Sequence, residues 1–295
     1  MASSVARPAG NDQTSLMWRT VLGLVKASHP EPGLAVTTVA GLLAVAVGHR
    51  PAGTVAVVLT VLSSQLAVGW TNDAVDAGRD ATVGRTDKPV AAGAVGRRTV
   101  VVAAVLAALA TPLLALTTTP VAALCYTVGL VSALLYDWPL KSTPVSVLPY
   151  AVSFGSLPAF VVLALPGAPT PPLWLVVAAA CLGAGAHFAN VLPDLADDAR
   201  TGVRGLPHRL GATGSRLAAA GLLLAATVAL VLGPPGSPSW VGWSAVAAAV
   251  AVPAVGWYAG RAATRRDGRS VAAFRAVLVV ALIDVLLLVA SGRVV

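Results

Sequence analysis

Charged side chains are scarce in this chain of 295 residues, of which 11% are Asp, Glu, Lys or Arg. Soluble globular domains carry about 25%, so the shortage argues against an ordinary soluble protein. Cysteine is also rare: Cys125 and Cys181 lie in separate apolar runs and provide neither a disulfide framework nor a metal-binding motif. Hydrophobic residues make up 57% of the chain. The composition therefore predicts an all-α protein that crosses a membrane several times.

Nine apolar runs, bounded by Gly, Pro or charged residues, are candidate membrane spans. Most of them approach the ~20 residues that a helix needs to cross a bilayer core. With boundaries uncertain by a few residues, they lie at roughly 33–48, 53–72, 97–117, 119–136, 143–165, 172–193, 212–233, 239–259 and 270–291. Nine spans would place the two ends of the chain on opposite sides of the membrane.

The N-terminal region differs from the rest of the chain. The polar residues 1–14 are expected to form a disordered tail that precedes a single transmembrane domain, residues 15–295. Within 16–28, Trp18 and Val25 recur at helical spacing beside basic residues, which predicts an amphipathic helix at the membrane interface. The alternative is that this segment simply extends the first span.

Basic residues are distributed unevenly among the connections between spans. Those after the second, fourth, sixth and eighth spans contain most of the Arg and Lys, whereas the odd-numbered ones contain Arg50 and little other charge. The positive-inside rule then places the N-terminus and the even-numbered connections in the cytoplasm. These loops also account for the net charge of +8, so no nucleic-acid partner is expected. Ala and Val are abundant, and Arg far outnumbers Lys, which is typical of a GC-rich bacterial genome. The predicted location is therefore a bacterial plasma membrane.

Two acidic clusters end even-numbered spans and so lie on the same predicted side, where a site would face the cytoplasm. Their carboxylates belong to Asp73, Asp76 and Asp80 in the first cluster, and to Asp194, Asp197 and Asp198 in the second. The first three follow i, i+3, i+7 spacing and share one helical face. Like charges so close together repel each other and are costly near a membrane, so a cation is expected. Carboxylate oxygens suit Mg²⁺ that is also bound by phosphate.

Basic residues on the same predicted side surround these acids. They include Arg85, Lys88, Lys141, Arg204 and Arg209. Cationic side chains together with Mg²⁺ are suited to bind a diphosphate. The alternative, a set of cytoplasmic surface ion pairs without a ligand, is less favoured because the like-charged triad destabilises its helix unless it is compensated.

With these motifs the chain resembles the UbiA superfamily of intramembrane prenyltransferases. Asn72–Asp80 matches the family's first aspartate-rich motif, and Arg85–Pro89 matches its basic tail. Asp194–Gly202 resembles the second aspartate-rich motif. Tyr136–Lys141 resembles the loop between helices four and five, and Ser28–Pro30 the beginning of helix one. The similarity extends over nearly the whole chain, with the motifs in the expected order.

The resemblance implies nine transmembrane helices around a central cavity, capped by cytoplasmic loops. The implied metal ligands are Asp73, Asp76, Asp194, Asp197 and Asp198, and the residues expected to bind diphosphate are Arg85, Lys88, Lys141 and Arg204. Asp80 would orient the basic loop or a water. Two positions depart from the family pattern, since Lys88 stands where the family often has Arg and Gly205 where it often has Thr.

Five further polar residues are candidates for contact with a second substrate or for the cavity wall. They are Gln65, Asn72, Tyr136, His187 and Asn190. His187 and Asn190 precede Asp194 by seven and four residues, so they share its helical face. Each has a structural alternative, namely hydrogen bonding between helices, a helix cap or an interfacial anchor. Asp284, within the ninth apolar run, is expected to pair with a hydroxyl inside the helix bundle.

The favoured hypothesis is an enzyme that transfers an isoprenyl group from a prenyl diphosphate to a small acceptor, preferably aromatic. Mg²⁺ and basic side chains would neutralise the departing diphosphate, and an apolar cavity would shield the allylic cation from water. A terpene cyclase of the same superfamily, which needs no acceptor, is the alternative. A transporter with an acidic cation site is less favoured, because transporter sites usually lie near the middle of the bilayer.

Overall fold

The computed structural model describes residues 10–267 and 272–291, and every regular element in these ranges is helical. The α-helices in chain order are α1 (Gly10–Ala27), α2 (Pro30–Ala46), α3 (Pro51–Thr82), α4 (Arg97–Ala115), α5 (Pro120–Asp137), α6 (Leu148–Leu163), α7 (Leu173–Val191), α8 (Leu195–Arg200), α9 (Leu206–Leu232), α10 (Trp240–Asp267) and α11 (Ala272–Ser291). A 3₁₀ turn, Leu140–Ser142, lies between α5 and α6.

A helix covers each of the nine apolar runs, namely α2 to α7 and α9 to α11. Among the described residues, six of these helices are long and apolar enough to cross a bilayer: α3, α4, α5, α7, α9 and α10. Helices α2 and α6 are apolar but have only 17 and 16 residues. The prediction of an all-helical integral membrane protein is confirmed, whereas a crossing by all nine helices stays a prediction.

Helix α1 occupies the segment that was predicted to be amphipathic. It begins at Gly10, within the expected tail, and residues 1–9 lie outside the described part of the chain. Apolar side chains are exposed along one side of α1, and Trp18 is 57% exposed. The indole Nε1 of Trp70 donates a hydrogen bond to the carbonyl of Leu24 at 2.8 Å, which ties α1 to α3.

Helix α3 is longer than the span predicted at 53–72. Its 32 residues extend over about 48 Å at 1.5 Å per residue, whereas the hydrocarbon core of a bilayer is about 30 Å thick. The first acidic cluster occupies its last turns, so a straight helix carries these carboxylates beyond the apolar layer. The apolar run marked only part of this helix, and the helical spacing of Asp73, Asp76 and Asp80 indicated its continuation.

The chain between α7 and α9 carries the second acidic cluster. Helix α8 is only six residues long, and α9 begins at Leu206 rather than near residue 212 as predicted. Gly211 interrupts α9 with φ 68° and ψ 178°, a backbone conformation that glycine adopts without a steric penalty. The turn before this kink brings His208 towards Asp198, with Nε2 and Oδ2 3.4 Å apart.

Asp284 lies in α11 and is buried against α9. The hydroxyl of Thr227 donates a hydrogen bond to Oδ2 of Asp284 at 3.2 Å. The predicted pairing of this acid with a hydroxyl inside the bundle is therefore confirmed.

Close contact between α3 and the start of α2 depends on Gly69. A Cβ atom at this position would lie 2.4 Å from the carbonyl oxygen of Ser28. His29, the residue that follows Ser28, has φ 54° and ψ 64° and precedes Pro30 at the first turn of α2. The missing side chain at position 69 thus allows the beginning of α2 to lie directly against α3, where His29 faces the cavity described below.

We predict that Gly69→Ala lowers the free energy of unfolding by about 1–3 kcal/mol, because the added methyl group forces two backbones apart. Gly78→Ala is the matched control in the same helix, since a Cβ there meets nothing within 4 Å. The control should be neutral or stabilising by about 0.4–1 kcal/mol. Thermal unfolding of the purified proteins in one detergent measures both, and equal midpoints for the two variants would contradict the close contact.

Candidate active site

A single large cavity of about 1050 Å³ contains residues of both acidic clusters in its wall. Charged residues from α3, α8 and the loop after α3 line one end. Tyr136, Tyr150 and Phe154 line a neighbouring part, and apolar side chains such as Leu130 and Leu157 line another. The cavity therefore combines a strongly polar end with aromatic and apolar walls.

The first acidic cluster divides between the cavity and the protein interior. Asp76 and Asp80 line the cavity, whereas Asp73 is 1% exposed and is not among the described residues of its wall. Asp73 accepts a hydrogen bond from the backbone N–H of Val90 at 3.1 Å, and its Oδ1 lies 3.8 Å from Nζ of Lys88. Asp73 thus holds the basic loop, a role that the sequence had suggested for Asp80.

The two acidic clusters meet through Arg79, which sequence reasoning had counted only as a loop charge. Its Nη2 lies 2.8 Å from Oδ2 of Asp76, and its Nη1 lies 3.1 Å from Oδ1 of Asp198. The other oxygen of Asp76 pairs with Nζ of Lys141. Burial raises the pKa of Asp198 to about 6, although the guanidinium of Arg79 opposes this shift. The i, i+3 spacing of Arg79 from Asp76 was the available signal in the sequence.

The loop after α3 places two of the predicted basic residues at the cavity. Nη1 of Arg85 lies 2.9 Å from Oδ1 of Asp194 in the second cluster. Arg85 also forms two hydrogen bonds of 2.8 Å with Asp87, which raise the pKa of the guanidinium and lower the pKa of Asp87 to about 2. Lys88 extends towards α2, where its Nζ lies 3.0 Å from Nε2 of His29.

His29 is a neutral partner for Lys88. Burial, and then the charge of Lys88, lower the pKa of His29 to about 4. The imidazole is therefore neutral near pH 7, so that its Nε2 can accept a hydrogen bond from the ammonium group. Nζ of Lys88 also lies 3.4 Å from Oδ1 of Asn72.

The remaining predicted basic residues differ in their positions. Lys141 lines the cavity, whereas Arg204 is exposed and is not among the described residues of the cavity wall. Next to it, Gly205 packs so closely that a Cβ would lie 2.4 Å from the carbonyl oxygen of Lys141. This contact accounts for glycine at position 205, since a threonine there would push the loop that carries Lys141 away.

All five predicted polar candidates line the cavity. Asn72 donates through Nδ2 to Oδ1 of Asp137 at 3.1 Å and to Oδ2 of Asp76 at 3.3 Å. Asn190 donates to the hydroxyl of Tyr150 at 3.3 Å. Gln65 lies in the same wall, farther along α3 from the acidic cluster.

An aromatic group from three helices contributes to the cavity wall. Tyr136 contacts Tyr150 edge to face, with ring centroids 4.8 Å apart, and contacts His187 at 5.4 Å. Tyr150 also lies against His187 at 5.0 Å and is stacked on Phe154. Sequence reasoning identified Tyr136 and His187 but missed Tyr150 and Phe154, which lie in the apolar α6 without a motif.

Carboxylates of both clusters could hold a metal ion together with a phosphate ligand. No three Asp, Glu, His or Cys side chains within the described ranges lie close enough to hold a metal ion as a group. Mg²⁺, however, is commonly bound through one or two carboxylates, with water and phosphate oxygens as the other ligands. Asp76 and Asp198, which share Arg79 as a counter-ion, fit that kind of site.

Solved structures with the same fold were found among membrane enzymes. A UbiA homologue from Aeropyrum pernix K1 is 21% identical, with a TM-score of 0.68 over 89% of this chain and 96% of that one. A UbiA homologue from Archaeoglobus fulgidus, solved with DMAPP and Mg²⁺, is 16% identical, with a TM-score of 0.68 over 91% and 97%. A digeranylgeranylglyceryl phosphate synthase is 14% identical, with a TM-score of 0.65 over 93% and 99%.

A search of curated protein sequences gave no match. A profile of the UbiA prenyltransferase family, by contrast, matches residues 34–283, which is most of the chain. The resemblance that the motifs suggested is therefore confirmed, and the chain belongs to the UbiA prenyltransferase family.

Proposed function

We propose that this protein is a Mg²⁺-dependent enzyme that ionises a prenyl diphosphate and transfers the isoprenyl group to a small acceptor, preferably aromatic. The observation that carries the proposal is the convergence of two acidic clusters with four basic residues (Arg79, Arg85, Lys88 and Lys141) in the wall of a cavity that also has aromatic and apolar parts. UbiA homologues from Archaeoglobus fulgidus solved with DMAPP or GPP together with Mg²⁺ support this assignment.

The cavity-facing carboxylates are the proposed metal ligands. Those that belong to the two acidic clusters are Asp76, Asp80, Asp194, Asp197 and Asp198, and these five are the ligands meant here. When bound there, Mg²⁺ would neutralise the charge that develops on a departing diphosphate. Asp73, which the family resemblance also implied as a ligand, would serve the site by fixing the loop of Lys88 through the N–H of Val90. Asp80 is the better candidate because it lines the cavity, whereas Asp73 is not among the described residues of its wall; each has one buried oxygen without a hydrogen-bond partner among the described residues.

The basic residues would bind the diphosphate from two sides. Arg85 and Lys88 approach from the loop after α3, and Lys141 approaches from the turn after α5. Fixed cations aimed at the leaving group stabilise the transition state more than the ground state, because the negative charge on the leaving oxygen grows as the C1–O bond breaks. The exposed Arg204 is not included in this proposal.

The aromatic and apolar walls would protect the allylic cation. Tyr136, Tyr150 and Phe154 offer ring faces or edges, and cations are stabilised over such faces. Exclusion of water from this part of the cavity would prevent capture of the cation as an alcohol. The isoprenyl tail would lie along the apolar wall that includes Leu130 and Leu157.

The aromatic group also supports a second candidate function, that of a terpene cyclase. Rings that stabilise one cation could stabilise the successive cations of a terpene cyclase, in which an alkene of the substrate takes the place of the acceptor. Incubation of the protein with labelled GPP and Mg²⁺ alone distinguishes the two functions. A cyclic hydrocarbon formed without an acceptor would favour the cyclase, whereas dependence of product formation on an added acceptor would favour the transferase.

We predict that Asp76→Asn and Asp198→Asn each reduce Mg²⁺-dependent release of diphosphate from GPP at least about 100-fold, because each removes a charge from the site that stabilises the leaving group. The matched control is Asp284→Asn, an equally conservative change at a buried acid that is not among the described cavity-lining residues. Wild-type rates in either cavity variant, or a rate that withstands removal of Mg²⁺ by EDTA, would contradict the site.

A second prediction concerns Arg79. Replacement by Gln leaves Asp198 without its guanidinium partner and should lower the thermal midpoint of the free protein, since the ion pair is largely shielded from water, with side chains 21% and 14% exposed. Mg²⁺ should then raise the midpoint of the Arg79→Gln variant more than that of the wild type, because the metal ion supplies the missing positive charge. Arg79→Lys should give a smaller loss and a smaller response to Mg²⁺, since its ammonium keeps the positive charge but cannot bridge both carboxylates as the planar guanidinium does.

Thermal unfolding in one detergent, with and without Mg²⁺, measures these midpoints. Equal midpoints for the wild type and Arg79→Gln, together with equal responses to Mg²⁺, would show that the ion pairs of Arg79 with Asp76 and Asp198 do not stabilise the protein.

A further inference from the structure

Asp137 is a buried carboxylate in the cavity wall to which the proposed ionisation gives no role. It is the last residue of α5 and is 2% exposed. Its Oδ2 has no hydrogen-bond partner within the described part of the chain. A buried polar atom without a partner is costly, so this oxygen is available for a donor that enters the cavity.

The other oxygen of Asp137 is fixed by Asn72. Nδ2 of Asn72 lies 3.1 Å from Oδ1 of Asp137 and 3.3 Å from Oδ2 of Asp76. Asn72 therefore joins Asp137 to the carboxylate that is proposed to hold the metal. Lys141, the nearby cation, pairs with Asp76. Asp137 thus has one oriented oxygen and one free oxygen beside the place where the C1–O bond would break.

Asp137 is connected to the aromatic part of the cavity wall as well as to the charged part. Its neighbour Tyr136 belongs to the aromatic group, in contact with Tyr150 and His187. Asp137 therefore lies at the boundary between the charged end and the aromatic wall, where an acceptor would have to approach C1. An ionised carboxylate accepts hydrogen bonds and donates none, so its partner here has to be a donor.

We propose that Asp137 binds an O–H or N–H group of the acceptor and takes up the proton that the acceptor loses during transfer. This inference rests on the proposed prenyl transfer. The C1–O bond breaks, and its electron pair leaves with the diphosphate. A nucleophilic carbon or oxygen of the acceptor forms the new bond to C1, and the displaced proton moves to Oδ2 of Asp137. The acceptor is accordingly a compound with an ionisable O–H or N–H group at or conjugated to its nucleophilic atom, such as a phenol.

The experiment separates ionisation from transfer. Wild type and Asp137→Asn are incubated with Mg²⁺, a lipid extract of the source cells and labelled DMAPP, GPP or geranylgeranyl diphosphate. Diphosphate release is measured together with the division of label between prenyl alcohol and acceptor-linked product. Asp137→Asn should release diphosphate at nearly the wild-type rate, whereas the ratio of acceptor-linked product to alcohol should fall at least about 100-fold, as expected for loss of a general base.

Two further variants make the result interpretable. Asp284→Asn, at the buried acid that pairs with Thr227, should leave the ratio unchanged. In Asp137→Asn, the new amide side chain lies against the amide of Asn72 and could disturb it. Asp137→Ser therefore repeats the test with a smaller side chain.

The outcomes distinguish the inference from the function on which it rests. An unchanged ratio in both Asp137 variants would overturn the inference, and so would a proportional loss of ionisation and transfer, since Asp137 would then only hold Asn72. If the wild type releases diphosphate but forms only acceptor-free products, the inference fails while ionisation stands. If the wild type releases no diphosphate from any of the three substrates, the proposed function itself fails.

Discussion

Asp76 on α3 and Asp198 on α8 carry like charges, and the guanidinium of Arg79 lies between them. Without a cation at this position, the two helices would present opposed carboxylates in a poorly solvated space, where repulsion is strong. The bridge therefore connects α3 to the short helix α8. Lys141, which pairs with the other oxygen of Asp76, connects the turn after α5 to the same point.

The membrane explains why the charges are concentrated in so small a region. A chain with 11% charged residues can place them inexpensively only where they reach water or one another. Helix α3 is long enough to carry its acids beyond a hydrocarbon layer of about 30 Å, and the loops that follow α3, α5 and α7 bring basic and acidic residues to the same cavity. The remaining wall stays apolar, which suits an isoprenyl chain and excludes water from a cation.

The helices could be predicted from the apolar runs. The two acidic clusters could be predicted from their positions at the ends of such runs and from the helical spacing of Asp73, Asp76 and Asp80. What could not be predicted depends on the tertiary structure. The sequence does not show that Asp73 points towards the backbone of Val90 while Asp76 faces the cavity, because all three acids share one broad helical face. Likewise, Asp137 is not at a regular spacing from the other acids in the sequence. Its importance follows only from its burial beside Asn72.

The central claim is that the two acidic clusters bind one metal–diphosphate unit. Electron paramagnetic resonance of Mn²⁺, titrated into purified protein with geranyl S-thiolodiphosphate as an unreactive analogue, tests it without turnover. We expect tight Mn²⁺ binding by the wild type in the presence of the analogue, and its loss in both Asp76→Asn and Asp198→Asn. Wild-type Mn²⁺ binding in either variant would contradict a site that both clusters share.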